Sequence, residues 1–130
     1  MKPLPQINFF DRGKVMYVHV QNNGVGPLII EGLKFKKDGR VYTDIEECLD
    51  LPPRSYMHMR ITGSSKKVIL PGKFLEVFST QFDVCEDDAK LDNVRRQLTV
   101  MALTVDGRDI YDNKIVLERD FAWFARHLHS

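Results

Sequence analysis

A chain of 130 residues that is 43% hydrophobic and 28% charged has the size and make-up of one globular domain, and excludes a disordered or membrane-spanning polypeptide. Nineteen lysines and arginines against 18 aspartates and glutamates leave a formal charge of +1, so no global field draws the chain to nucleic acid or an anionic bilayer. The opening Met1-Lys2-Pro3-Leu4-Pro5 lacks the apolar stretch of a signal peptide, which points to a cytoplasmic protein, although its prolines also suit the soluble part of a membrane-anchored parent.

In chain order, Gln6 to Phe10 reads as a first strand, closed by an Asp11-Arg12-Gly13 turn. Lys14 to Asn22 alternates cleanly: Met16, Val18 and Val20 fall on one face, and Tyr17, His19 and Gln21 on the other. The run Asn22-Asn23-Gly24-Val25-Gly26-Pro27 then supplies turn residues suited to positive φ. Leu28 to Lys37 follows as a strand that Gly32 interrupts, as a bulge or a close backbone approach would. Asp38-Gly39 predicts a hairpin into Val41-Tyr42.

Thr43 and Glu46 have capping-box spacing for a brief helix from Asp44 to Leu49, which Pro52 and Pro53 end. Strands are expected at Tyr56 to Ile61, Lys67 to Leu70 and Phe74 to Thr80, with turns at Gly63-Ser64-Ser65 and Pro71-Gly72. Asp83 to Arg96 breaks the rhythm, as a short surface helix or an ordered loop. Gln97 to Val105 reads as a central strand apolar on both faces, followed by an Asp106-Gly107 turn, strand Arg108 to Tyr111, an Asp112-Asn113 turn and strand Lys114 to Leu117. Arg119 to His129 places Phe121, Phe124 and Leu128 at helical spacing, as a terminal helix or a strand with a frayed end. Eight to nine short strands with one or two short helices predict a single all-β domain over residues 1–130: an antiparallel β-sandwich, or alternatively a small barrel.

Two signatures carry a resemblance. Asn22-Asn23-Gly24-Val25-Gly26-Pro27 near the start and Asp109-Ile110-Tyr111-Asp112-Asn113 near the end resemble a set of uncharacterised bacterial domains marked by Asn-x-Gly-x-Gly-Pro and Asp-Ile-Tyr-Gly-Asn. The resemblance spans about residues 5 to 118. It implies an immunoglobulin-like sandwich, often following membrane helices. Asp112 stands where that pattern has glycine. The set brings no catalytic residue to transfer.

No constellation in the sequence assembles a reactive centre. Cys48 and Cys85 have no zinc-ligand spacing, and two free thiols in a reducing compartment are expected rather than a disulfide. Cys48 lacks a helix N-terminus to activate it, and the acidic neighbours of Cys85 (Asp83, Glu86, Asp87, Asp88) oppose a thiolate. The same acidic run, with Asp92, lacks calcium-loop spacing. Gly63-Ser64-Ser65-Lys66-Lys67 lacks the leading glycine of a phosphate loop. His19 and His58 lie on strands, and His127 and His129 near the C-terminus; each is read as structural or frayed rather than metal-binding. Lys34, Lys36, Lys37 and Arg40 read as guards of a sheet edge. The sequence therefore predicts a non-enzymatic interaction module with no cofactor, no nucleic-acid partner and no membrane insertion of its own. Its partner would be another protein or a second copy, with a small-molecule sensor as the alternative. Candidate contact residues are Tyr17, His19, Trp123 and Phe124, although the Phe121 to Phe124 cluster is read first as a lid on the domain's own core and second as a docking surface.

Overall fold

In chain order, the computed structural model holds β1 (Pro5–Arg12), β2 (Val15–Asn22), β3 (Leu28–Lys37), β4 (Arg40–Tyr42), β5 (Met57–His58), β6 (Lys67–Ile69), β7 (Phe74–Gln81), α1 (Asp88–Thr99), β8 (Met101–Arg108) and β9 (Lys114–Asp120). It describes residues 2–59, 61 and 66–127. One sheet has the order β1-β2-β7-β5, the other β4-β3-β8-β9, and β6 pairs with β3 beside β4. Every pairing is antiparallel. The two sheets stay separate, so the sandwich holds and the barrel does not.

Alternation builds the core. Met16, Val18 and Val20 of β2 are fully buried and oppose Leu28, Ile30, Leu33 and Phe35 of β3 and Met101, Leu103 and Val105 of β8. Each such side chain contributes about 1.5–3 kcal/mol when removed from water. Two bulges keep the pattern in phase. The register of β3 slips between Ile30 and Gly32, so the inward set passes from 28 and 30 to 33 and 35. The register of β2 with β7 slips after Val18, so Val77 and Phe78 both point inward. This bulge is why β7 reads as apolar on both faces: its apolar residues are mostly on one.

These turns follow their chemistry, the first with a shift of one residue. Asp38 and Gly39 both adopt positive φ (52° and 77°), the two-residue hairpin expected there. The first hairpin turns one residue later than the sequence suggests, on Gly13 and Lys14, at φ 61° and 63°. Gly72 at φ 78° completes the turn after Pro71. Asp112 takes φ 65°, the conformation that the glycine of the similar pattern would favour.

Four elements differ from their expected form. The acidic segment is a loop leading into a 12-residue helix, capped by Asp87, whose side chain accepts the Ala89 N–H at 3.1 Å. Gln97, Leu98 and Thr99 close that helix, with Leu98 buried and Val100 exposed, so β8 begins only at Met101. It then runs straight through Asp106 and Gly107, and the turn falls at Asp109 to Asn113. The short helix after β4 is a 3₁₀ turn, Ile45–Cys48, capped by Asp44 and not Thr43: Asp44 Oδ1 accepts the Glu46 N–H at 3.0 Å. The C-terminal segment is a 3₁₀ run, Ala122–His127. The expected Gly63-Ser64-Ser65 turn, the phosphate-loop comparison made there and His129 lie outside the described residues.

Candidate functional site

The outer face of the β1-β2-β7 sheet carries a diagonal stack of rings. Phe10 lies opposite Tyr17 in the β1–β2 register, with ring centroids 4.8 Å apart and planes 4° from parallel. Tyr17 stacks on His19 at 3.7 Å and 12°, and His19 on Phe74 at 4.2 Å and 10°. Alternation along β2 aims Tyr17 and His19 at solvent, strand spacing brings Phe10 alongside, and Phe74 ends the row, 58% exposed. His19 Nε2 also lies 3.4 Å from Glu76 Oε1. Burial between two rings lowers the His19 pKa below its ordinary 6.5, more than the Glu76 carboxylate raises it. Exposed Met57 of the neighbouring β5 and Tyr17 line a surface depression of about 310 Å³. Polar Asn8 and Gln21 border the row, hydrogen-bonded to each other at 2.7 Å.

The sequence brings Tyr17 and His19 to this face but does not bring Trp123 and Phe124 to it. Phe124 is fully buried with Phe121, and Phe9 packs 5.1 Å from both rings and 5.8 Å from the half-buried Trp123. These rings pack over one end of the core, away from the stacked row on the outer face. Phe74 was the member the sequence concealed. Its strand looked apolar throughout until the bulge separated one outward phenylalanine from the inward set.

The two signature segments are structural clasps. Asn22 is fully buried: its Oδ1 accepts the N–H groups of Leu4 (3.2 Å) and Gly24 (3.0 Å), and its Nδ2 donates to the carbonyls of Gly26 (2.8 Å) and Ile69 (2.9 Å). Neither Gly24 nor Gly26 has positive φ, contrary to expectation. Gly24 is needed instead for close approach, since a Cβ there would sit 2.3 Å from the Lys2 carbonyl oxygen. The run joins β2 of one sheet to β3 of the other, so it is a crossover and not a hairpin. Asp109 closes the second clasp, accepting the backbone N–H groups of Tyr111 and Asn113 and the Asn113 side-chain amide, each at 2.9 Å. Those bonds, the Asn113 side chain first, hold its pKa below the usual carboxylate value. Lys2, Pro3 and Pro5 line a hollow with Asp109 and Asn113, so the N-terminal segment touches both signatures.

At the β4/β5 margin a second polar group gathers. His58 Nε2 lies 3.5 Å from Asp44 Oδ1 and 3.7 Å from Glu46 Oε2. Tyr56 packs beside it, 5.5 Å between ring centroids, and its buried hydroxyl has no hydrogen-bond partner among the described residues. Burial first, then the charges of Glu46 and Asp44, raise the Tyr56 pKa, which places the phenol in the field of both carboxylates. His19 and His58 do not share a face: one is on the outer surface, the other on the inner margin.

The remaining candidates resolve into structure. Cys48 and Cys85 are both free, one buried and one exposed. Burial pushes the Cys48 thiol up to about 11, leaving almost no thiolate at neutral pH. The acidic loop is organised by Lys14, whose ammonium donates to the Val84 and Glu86 carbonyls, and by the Glu86–Lys90 pair at 2.7 Å. Lys37 donates to the Cys48 carbonyl at 2.8 Å and Lys34 pairs with Asp106 at 3.3 Å, which ties the basic hairpin to its own domain. A groove of about 450 Å³ opens between α1 and the proline loop, lined by Leu51, Pro52, Phe82 and Val94 with Arg54 and Lys90 at its rim. Among the described residues no helix is long and apolar enough to cross a membrane. No protein-family model matches the chain, and no curated protein matches it either.

Proposed function

We propose that this domain is a non-catalytic interaction module that binds a protein partner or a second copy of itself through the outer face of β1, β2 and β7. The stacked row Phe10–Tyr17–His19–Phe74 is the observation that carries the reading. Free ring faces would suit nucleotide bases, which stack on aromatic platforms. Here the faces are spent on one another, so the row offers mostly ring edges to an incoming surface. An apolar stripe with a polar border resembles the centre and rim of a protein–protein interface. The hollow between Tyr17 and Met57 can receive one anchoring side chain. The strand orders support an immunoglobulin-like arrangement, because β1-β2-β7-β5 and β4-β3-β8-β9 follow the A-B-E-D and C′-C-F-G succession. The two unpaired thiols support a reducing, cytoplasmic setting.

The test is a Tyr17→Ser/Phe74→Ser double variant, whose outward-facing positions leave the core intact. Light scattering after size exclusion, and capture of partners on immobilised domain, should show association by the wild type and its loss in the variant. A monomeric wild type that captures nothing, or a variant that associates unchanged, overturns the reading.

The groove beside α1 favours a second reading, a ligand-sensing domain that reports to an effector. A ligand at a hundredfold its dissociation constant stabilises the fold by about 2.7 kcal/mol. A thermal-shift screen of nucleotides and metabolites should find it, with the shift lost in Phe82→Asp, and a flat screen rejects it.

A further inference from the structure

The two sheets meet at the β4/β5 margin through side chains whose donor atoms converge on one point. Oxygens of Asp44 and Glu46 and a ring nitrogen of His58 all lie within 4.8 Å of one another. In a tetrahedral zinc site with bonds of about 2.1 Å, donor atoms are about 3.4 Å apart. The distances from His58 Nε2, 3.5 and 3.7 Å, are close to that edge. The set is pre-oriented as well. The Glu46 N–H holds the Asp44 carboxylate at 3.0 Å, the kind of supporting bond that aligns metal ligands. Beside it stands Tyr56, only 6% exposed, with a hydroxyl that lacks a partner among the described residues. An orphaned buried hydroxyl is uncommon and calls for a missing group.

We propose that Asp44, Glu46 and His58 bind a divalent first-row cation of the zinc class, with Tyr56 hydrogen-bonding a water that completes the coordination shell. Two carboxylates and a neutral imidazole balance the charge of one such ion. The imidazole nitrogen selects zinc-like cations over calcium and magnesium, which take oxygen ligands. The bound ion fastens the 3₁₀ turn after β4 to the edge strand β5, and so joins the two sheets at a margin where β5 is only two residues long. Tyr56 is a positioning residue here, acting through the water.

The test is calorimetric titration of the tag-free full chain at neutral pH with zinc chloride alone, then with calcium and magnesium chloride. One zinc per chain is expected, with no saturable heat from the other two. Cobalt(II) should occupy the same site and give the visible absorption of a four-coordinate ion. His58→Ala and Glu46→Gln should each abolish the stoichiometric heat, and Tyr56→Phe should weaken binding about tenfold while keeping it. Circular dichroism checks that each variant folds. Should His58→Ala unfold, Glu46→Gln decides, because the Glu46 side chain is 45% exposed and outside the core. Absence of saturable zinc binding overturns the proposal. So does binding that survives Glu46→Gln, or that disappears in Cys85→Ser or His127→Ala/His129→Ala.

Discussion

Arg95 reaches from α1 to the end of β1 and holds two buried carboxylates at once: Asp11 at 2.6 and 2.8 Å, and Asp92 at 2.8 Å. The hydrogen bonds it donates to Asp11, ahead of the one to Asp92, raise the guanidinium pKa, so it stays charged at any working pH. Removing the cation leaves the buried Asp11 carboxylate without its bidentate partner, and Arg95→Met should destabilise the fold by about 3–5 kcal/mol in urea titrations. His19 gives a pH dependence of definite sign. Its native pKa lies below the ordinary 6.5, so its contribution to stability is complete above that value and fades as pH falls through the lowered native one. Urea midpoints at about pH 7.5 and 5 should fall more for the wild type than for His19→Gln across that interval. At this scale the sequence disclosed Tyr17 and His19, because alternation on β2 is unbroken. It concealed Phe74 and the grouping of His58 with Asp44 and Glu46, since both depend on a bulge or on contacts across the sheets.

Strand alternation and helical spacing compete most directly around α1. Leu91, Val94 and Leu98 are buried at intervals of three and four, a helical stripe, yet Leu98, Val100 and Ala102 also alternate as a strand would. The helix prevails up to Thr99 because Asp87 caps its start and Phe121 and Phe124 provide an apolar neighbour for its stripe. Asp87→Ala should therefore cost about 1 kcal/mol, read as a lower denaturation midpoint with faster hydrogen exchange in the first helical turns. The hairpin at Asp38-Gly39 was legible to the residue, since its two positive φ values select those residue types. The Asn22 to Pro27 run was legible only as a turn. Its role as a crossover rests on a buried asparagine that bonds Gly24 and Gly26 within the run and also the distant Leu4 and Ile69.

The sandwich as a whole has two open margins between its sheets, and each is closed by side chains. At the β1/β9 margin Arg119 donates to the Ile7 carbonyl at 2.6 Å and lies 4.2 Å over the Phe9 ring. At the β4/β5 margin the His58 cluster takes that place. A charged hydrogen bond combined with a cation–π contact is worth about 2 kcal/mol, so Arg119→Gln should lower unfolding free energy by roughly that amount. The fold class was legible because it follows from strand count and turn chemistry. The proposed contact surface was not, because rings from three strands meet only once the sheet has formed. The Asn22 clasp has one more effect, on how the protein ages. Asn23-Gly24 is a dipeptide prone to deamidation, in which the glycine nitrogen attacks the asparagine side chain to form a succinimide. In the native protein the Gly24 N–H is committed to Asn22 Oδ1 and the Asn23 amide to Gln6 at 2.9 Å, so the ring cannot close without opening the clasp. Isoaspartate at position 23 should thus accumulate in urea and scarcely at all in native buffer, and peptide mass spectrometry would read it as a record of time each molecule has spent unfolded.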